Sequence, residues 1–239
     1  MTKIARAVIL AAGRGTRMRE LTAALPKPMI QVRGRPVLQH IVEGLAAAGV
    51  SNFLIVVGYR ADVVQQFFGD GARFGIHVEY ATQVVQDGTG RVVDLARPFL
   101  AGSPFILSYG DILLDPQNYR TLTSLEDGVE AIVSVKRNED VSQGGAVFLN
   151  EAFDLIDLRE KPKPGEPTSP WYNAGLYAFR SSIFEFTAKL QPSPRGEYEL
   201  TDAIRDLALS GKRVKAFELT GDWADVRDPE ILAQLNKKP

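Results

Sequence analysis

Leu10-Ala11-Ala12-Gly13-Arg14-Gly15-Thr16-Arg17-Met18 sets two glycines, two arginines and a hydroxyl directly after an apolar run. Gly13 and Gly15 can take up positive φ and leave their amides uncovered, so successive N–H groups can form a nest for an anion. Arg14 and Arg17 add cationic donors beside it, which suits phosphate. No Gly-Lys-[Ser/Thr] closes the loop, and no third glycine follows Gly15 at the spacing of a dinucleotide fingerprint, so neither of those phosphate motifs applies.

The charge distribution points the same way. Lys3, Arg6, Arg14, Arg17, Arg19, Lys27, Arg33 and Arg35 face a single acid, Glu20, in residues 1–40. With 28 basic and 29 acidic residues in all, that opening segment carries +7 and the remainder −8. Such asymmetry marks a phosphate-rich partner near the N-terminus, either nucleic acid or a nucleotide or phosphorylated metabolite. A net charge of −1 argues against a general polyanion binder. The interleaving of the cations with glycines favours the small phosphorylated ligand, and neither a nucleic-acid nor a membrane partner is expected.

Composition removes other chemistries. The 239 residues contain no Cys, which excludes disulfides, thiolate metal sites and cysteine nucleophiles. His40 and His77 are the only histidines, too few for a His-rich metal centre, and they read as structural. No apolar run approaches the ~20 residues that span a bilayer. Met1–Ala12 shows no leader-cleavage pattern, and the expected location is cytoplasmic.

The elements that must hold the loop follow from periodicity. Ile4–Ala11 and Phe53–Val57 are unbroken apolar runs, the form of strands buried on both faces. Pro36 opens a helix carrying Val37, Leu38, Ile41, Val42 and Leu45 on one face, with Gly49 as its stop. A helix over Asp62–Phe68, a strand over His77–Ala81, a helix over Arg91–Leu100 and a strand over Pro104–Tyr109 complete a βαβ alternation, which predicts a parallel sheet. Strands follow at Glu130–Lys136, Gly145–Leu149, Phe153–Arg159, Asn173–Phe179 and Val214–Leu219. Helices are expected at Ser182–Leu190, Glu199–Leu209 and Pro229–Leu235, and Lys161–Pro170 reads as a proline-rich surface loop. The fold class is α/β, a Rossmann-like three-layer α/β/α arrangement around a mixed, mainly parallel central sheet. One domain over 1–239 is expected, a nucleotide-binding part over about 1–111 followed by a more mixed α/β part over about 112–239.

The continuation of the loop carries a resemblance. LAAGRGTRMRELTAALPKPMI closely resembles the signature of the sugar-1-phosphate nucleotidyltransferases, the nucleoside-diphosphate-sugar pyrophosphorylases. Further blocks recur in order: Gln83 with Asp87-Gly88, Gly110-Asp111, Glu160-Lys161-Pro162, Asn173-Ala174-Gly175, Arg195-Gly196-Glu197 with Thr201-Asp202, and Trp223-Ala224-Asp225. Together they span nearly the whole chain.

The resemblance implies that a sugar-1-phosphate oxygen attacks the α-phosphorus of a nucleoside triphosphate and displaces pyrophosphate. Positioning and charge stabilisation then carry catalysis without a covalent nucleophile. It implies catalytic roles for Arg17, on the leaving pyrophosphate, and Lys27, on the α-phosphate or the incoming sugar phosphate. Leu10, Ala11, Ala12, Gly13, Arg14, Gly15, Thr16, Gln83 and Gly88 would hold the nucleotide. Gly145, Glu160, Lys161 and Asn173 would hold the sugar phosphate, and Asp111 and Asp225 a Mg²⁺ cofactor. Arg195 and Glu197 carry less weight, and Thr201-Asp202 reads equally as a helix start.

Two positions depart from the pattern. Val226-Arg227-Asp228 follows Asp225 where the family shows a glycine-containing turn, and Arg91 stands where a small residue or glutamine is expected. The nucleobase and sugar stay open among thymidylyl, uridylyl, cytidylyl and guanylyl types, with Gln83 and Asp87-Gly88 leaning to the first two. A cytidylyltransferase for a non-sugar phosphate, a catalytically silent nucleotide-sugar-binding homologue and a glycosyltransferase are the alternatives. The sequence carries no sign of oligomeric state.

Overall fold

A computed structural model describes residues 1–15, 18, 22 and 25–237. The chain forms two compact units, both discontinuous in sequence. The first comprises Ala5–Gln86, Leu107–Thr123 and Thr220–Pro239, and the second Met1–Ile4, Asp87–Ile106 and Ser124–Leu219.

In the first unit the strands Arg6–Leu10, Asn52–Val57 and His77–Thr82 pair in parallel, Leu10 opposite Val56 and Val57 opposite Thr82. Ala7, Val8, Ile9, Ile55 and Val56 are wholly buried, which is why these strands read as continuous apolar runs rather than alternating ones. The 107–109 part of strand Phe105–Tyr109 flanks Arg6–Leu10 on its other side. Helix Val37–Ala47 begins after Pro36 and buries the expected face, Val37, Leu38, Ile41, Val42 and Leu45. Gly44 lies on that face because a Cβ there would run into the Tyr119 ring.

A short antiparallel ribbon in this unit has no counterpart in the sequence reading. Ile112–Leu114 pairs with Trp223–Asp225, placing Ile112 opposite Asp225 and Leu114 opposite Trp223. Helix Gln117–Leu122 follows, and the Asn118 side chain ties it to Thr220 by donating to its carbonyl (2.9 Å) and accepting from its amide (3.0 Å).

The second unit is mainly antiparallel. Val129–Arg137 pairs antiparallel with Trp171–Phe179 and parallel with Arg213–Glu218. Gly145–Leu149 joins Trp171–Phe179 to Leu155–Glu160. All nine residues of Trp171–Phe179 are buried, and Leu200–Leu209 packs as a helix with Leu200, Ala203, Ile204 and Leu207 inward. The helix expected over Arg91–Leu100 is broken into Thr89–Val92, a 3-10 turn at Val93–Ala96, and Arg97–Leu100. Pro98 explains the break, since it has no N–H for the carbonyl of Asp94, which instead accepts from the Arg97 amide. The helix expected over Ser182–Leu190 is likewise shorter, a turn at Ser181–Ile183 followed by Phe184–Thr187. Mixed strand directions and covering helices give the α/β class read from the sequence.

Candidate active site

The strand Arg6–Leu10 delivers its loop into a narrow space. The Ala11 amide still bonds to the Val56 carbonyl (2.8 Å), and the Ala12 carbonyl accepts from the Tyr59 amide (3.3 Å) and Gln86 Nε2 (3.0 Å). Neighbouring backbone comes so close that a Cβ at Gly58 would lie 2.8 Å from the Ala12 oxygen, and one at Gly110 2.8 Å from the Leu10 oxygen. Gly13 has open space where a side chain would stand, but it does not adopt positive φ, so of the two loop glycines it is Gly15 that takes the left-handed conformation. The Arg14 guanidinium sits 5.1 Å from the Tyr59 ring centroid. Gly15 has φ +69°, and its carbonyl accepts from the Thr22 hydroxyl (3.1 Å) and the Met18 amide (2.9 Å). Thr16 and Arg17 lie outside the described residues. Half-buried Gln83 follows strand His77–Thr82, its amide bonded to the Val57 carbonyl (2.8 Å).

Lys27 begins a 3-10 turn, Lys27–Met29, whose entry is set by Pro26 at φ −67° and whose second position is Pro28. Two prolines leave the lysine backbone little choice. Its ammonium contacts Asp111 Oδ2 and lies 3.8 Å from Asp225 Oδ1. Asp111 stands just before the ribbon, and the Val226 amide donates to its carbonyl (2.9 Å). That bond and the Ile112–Asp225 pair bring the two carboxylates to one point although they are far apart in sequence. The three side chains are 14–28% exposed, so their charges are only partly screened.

Two carboxylates around one ammonium leave an excess of negative charge. The cluster already holds one cation, and its hard oxygen donors suit Mg²⁺, which takes one or two protein carboxylates and completes its shell with phosphate oxygens and water. No cluster of three or more His, Cys, Asp or Glu suited to a metal occurs among the described residues. A two-carboxylate site is therefore what these residues offer.

The sugar-phosphate candidates come together in the second unit. Gly145 pairs with Glu160 across the antiparallel strands, and a Cβ at Gly145 would lie 3.0 Å from the Asn173 Cβ. Asn173 Oδ1 is buried with no hydrogen-bond partner among the described residues. A buried amide oxygen left so is expensive, and a ligand hydroxyl would satisfy it. The Glu160 carboxylate lies 3.9 Å from Lys161 Nζ and 3.6 Å from Arg195 Nη2. Burial, then the neighbouring Glu199 carboxylate, push the Glu160 carboxyl above the usual carboxylate range, against the pull of Lys161 and Arg195. A cavity of about 480 Å³ opens beside these groups, lined among others by Glu160, Lys161, Arg195, Glu199 and Asp202.

Glu199 is the polar residue that the sequence reading passed over. It stands at the start of helix Leu200–Leu209 but caps nothing, and its buried carboxylate accepts from Arg195 Nη2 (2.6 Å) and Ser193 Oγ (2.9 Å). Arg195 is thus held at the cavity by a specific partner. Arg91 leans on Tyr198, its guanidinium 3.6 Å from the ring centroid, and lies 3.6 Å from the Asp87 carboxylate. Gly88 has φ +115° and packs against the Tyr198 backbone, where no Cβ fits. His40 Nε2 meets the Val32 carbonyl (2.8 Å) and His77 lies beside Glu79 at the surface. No helix among the described residues is long and apolar enough to cross a membrane.

A glycine-containing loop after a buried parallel strand, with a lysine and two carboxylates beside it, is an arrangement suited to handling phosphate groups. The profile of the Nucleotidyl transferase family matches residues 6–238, and the chain belongs to that family. It is 36% identical over 231 residues to the bifunctional protein GlmU of Methanocaldococcus jannaschii, covering 97% of this chain and 53% of that protein. It is 32% identical over 240 residues to glucose-1-phosphate thymidylyltransferase of Streptomyces griseus, covering 97% of this chain and 65% of that one. The chain therefore spans between about half and two thirds of the length of these relatives. Among solved structures, a UDP-glucose pyrophosphorylase complexed with UDP-glucose superposes with a TM-score of 0.88 at 25% identity, covering 98% of this chain and 97% of that one. A glucose-1-phosphate thymidylyltransferase structure from Bacillus anthracis gives a TM-score of 0.83 at 25% identity, covering 97% and 93%.

Proposed function

We propose that this protein transfers a nucleotidyl group from a nucleoside triphosphate to a sugar-1-phosphate, releasing pyrophosphate and forming a nucleotide-sugar. The observation that carries this reading is the convergence of Asp111 and Asp225 on the Lys27 ammonium, beside the Gly13–Gly15 loop. Relatives named for thymidylyl transfer to glucose-1-phosphate, and a structural neighbour holding UDP-glucose, support it.

In the reaction a phosphate oxygen of the acceptor forms a bond to the α-phosphorus while the bond from that phosphorus to the α–β bridging oxygen breaks. The electron pair leaves with pyrophosphate, so the chain needs no nucleophile of its own. Lys27, already fixed by its prolines and by Asp111, supplies positive charge where it builds up on the α-phosphate oxygens. The uncovered amides around Gly13 and Gly15 bind phosphate oxygens, and Arg17, by its resemblance to the family's signature arginine, grips the pyrophosphate. Mg²⁺, held by Asp111 and Asp225, would neutralise triphosphate charge when bound.

Gln83 and Gly88 are assigned to the base, with thymine or uracil favoured. Glu160 and Asn173 would accept and donate to sugar hydroxyls, Gly145 gives the sugar room, and Lys161 with Arg195 meets the acceptor phosphate. The decisive experiment is a matrix of nucleoside triphosphates against sugar-1-phosphates and non-sugar phosphates, read by pyrophosphate release with and without Mg²⁺, with nucleotide-sugar binding followed by calorimetry. Turnover of at least one pair is expected. Turnover only of CTP with a non-sugar phosphate, or nucleotide-sugar binding without turnover, would replace this reading with those alternatives.

A further inference from the structure

Two segments of the second unit meet on a single residue. The Tyr198 amide donates to the Asp87 carbonyl and its carbonyl accepts from the Gly90 amide, each at 2.7 Å. The Leu200 amide adds a bond to Thr89 Oγ1 at 3.3 Å. A Cβ at Gly88 would lie 2.6 Å from the Tyr198 nitrogen, and one at Gly90 3.0 Å from the Tyr198 oxygen, so both glycines permit the contact. Arg91 closes it, with its guanidinium 3.6 Å from the Tyr198 ring centroid and 3.6 Å from Asp87 Oδ2. Beyond Tyr198 the same stretch carries Arg195 and Glu199, joined at 2.6 Å, and the Ser193 amide bonds to the Glu197 carbonyl at 2.8 Å.

Nothing in the turn at Gly88–Gly90 calls for a long cation at position 91. The side chain is 53% exposed, yet it lies against an aromatic face and a carboxylate, an arrangement that cation–π attraction and the Asp87 charge both favour. We infer that Arg91 and Tyr198 are positioning residues that fasten the Gly88 loop to the Arg195–Glu199 segment, so that nucleotide bound at the loop also orders the acceptor-phosphate side. The inference rests on the assignment of Gly88 to the nucleotide made above. Arg91 touches neither substrate in this scheme and acts through Tyr198.

The test is amide hydrogen exchange on the full chain, with ATP, CTP, GTP, UTP and dTTP each offered with Mg²⁺ and binding followed in parallel by calorimetry. A nucleotide that binds is expected to slow exchange at 87–91 and 195–200 together in the unmodified protein. In Arg91→Ala the protection at 87–91 stays while that at 195–200 falls about two- to fivefold, and the ligand-free Tyr198 amide exchanges faster by the same factor, the scale of one exposed cation–π contact. Arg91→Lys, which keeps a cation over the ring, restores the linked protection. A bound nucleotide that fails to protect the two segments together in the unmodified protein overturns the inference, as does Arg91→Ala with both protections intact. Binding of none of the five nucleotides overturns the functional reading itself, and the inference with it.

Discussion

The Lys27 side chain runs over Gly15 so closely that a Cβ on that glycine would stand 2.6 Å from the Lys27 Cβ and 3.0 Å from its Cγ. Gly15 thus serves the site twice: its φ of +69° shapes the loop, and its missing side chain is the channel through which the lysine reaches Asp111.

Gly15→Ala is therefore expected to harm catalysis more than stability. The left-handed backbone alone costs an L-residue about 1–2 kcal/mol. Displacing the lysine stem by about 1 Å is on the scale that lowers turnover about 100-fold. Thermal unfolding and steady-state rates measured side by side separate the two effects, and a variant with normal turnover would show that the Gly15–Lys27 packing has no role in the chemistry.

Lys27→Ala removes the cation shared by Asp111 and Asp225. Loss of one preorganised donor to developing charge costs about 2.7–4 kcal/mol, so turnover should fall about 10²–10³-fold. Lys27→Arg should not fully rescue it, since a planar fork replaces the compact ammonium that stands between Asp111 and Asp225. Single-turnover rates at saturating substrate are the measurement, and near-normal rates in both variants contradict the role given to Lys27.

Asp111→Asn keeps the shape of the side chain and deletes one charge. The Mg²⁺ concentration giving half-maximal rate should rise by about tenfold or more, equivalent to at least about 1.4 kcal/mol in metal affinity. Metal titrations of the rate read this directly, and an unchanged titration curve would take Asp111 out of the metal site.

Glu160→Gln should stabilise the fold at neutral pH while abolishing sugar-phosphate turnover. Burial and Glu199 raise the folded-state pKa of Glu160, so between the unfolded value and that raised value the native state binds more protons than the unfolded chain. Stability contributed there is full below the unfolded pKa and falls as pH rises through the window. Glutamine mimics the neutral acid, so the variant's advantage should appear above the ordinary carboxylate range and vanish at lower pH. Thermal unfolding from pH 4 to pH 8 checks the sign, and a variant less stable at pH 7 than at pH 4, relative to the parent, refutes it. Stability gained with activity lost is the pattern of a site that keeps a strained charge for function.

The strands Arg6–Leu10 and Asn52–Val57 were legible because burial on both faces leaves an unmistakable apolar run. Gly145–Leu149 was legible down to its ends. The ribbon joining Ile112–Leu114 to Trp223–Asp225 was not, since strands of three residues show no periodicity and their pairing is wholly non-local. Asp111 and Asp225 were nevertheless visible as motif residues; what the sequence could not show was the device that unites them. Glu199 was hidden for another reason. As the first residue of the expected helix Glu199–Leu209 it reads like any surface acid, and only its burial against Arg195 and Ser193 reveals another task. Arg91 stood out as a departure from the family pattern, but its partner, Tyr198, lies far along the chain.

The ribbon has a consequence for how the protein is made. The first unit draws on Thr220–Pro239 as well as on its early segments, and Asp225 arrives only with that last stretch. On the ribosome the glycine loop, Lys27 and Asp111 emerge long before the second carboxylate does. A nascent chain can therefore form its first parallel strands, yet it cannot bring two carboxylates to Lys27 until Trp223–Asp225 has emerged, so products truncated before that stretch should be inert rather than partly active.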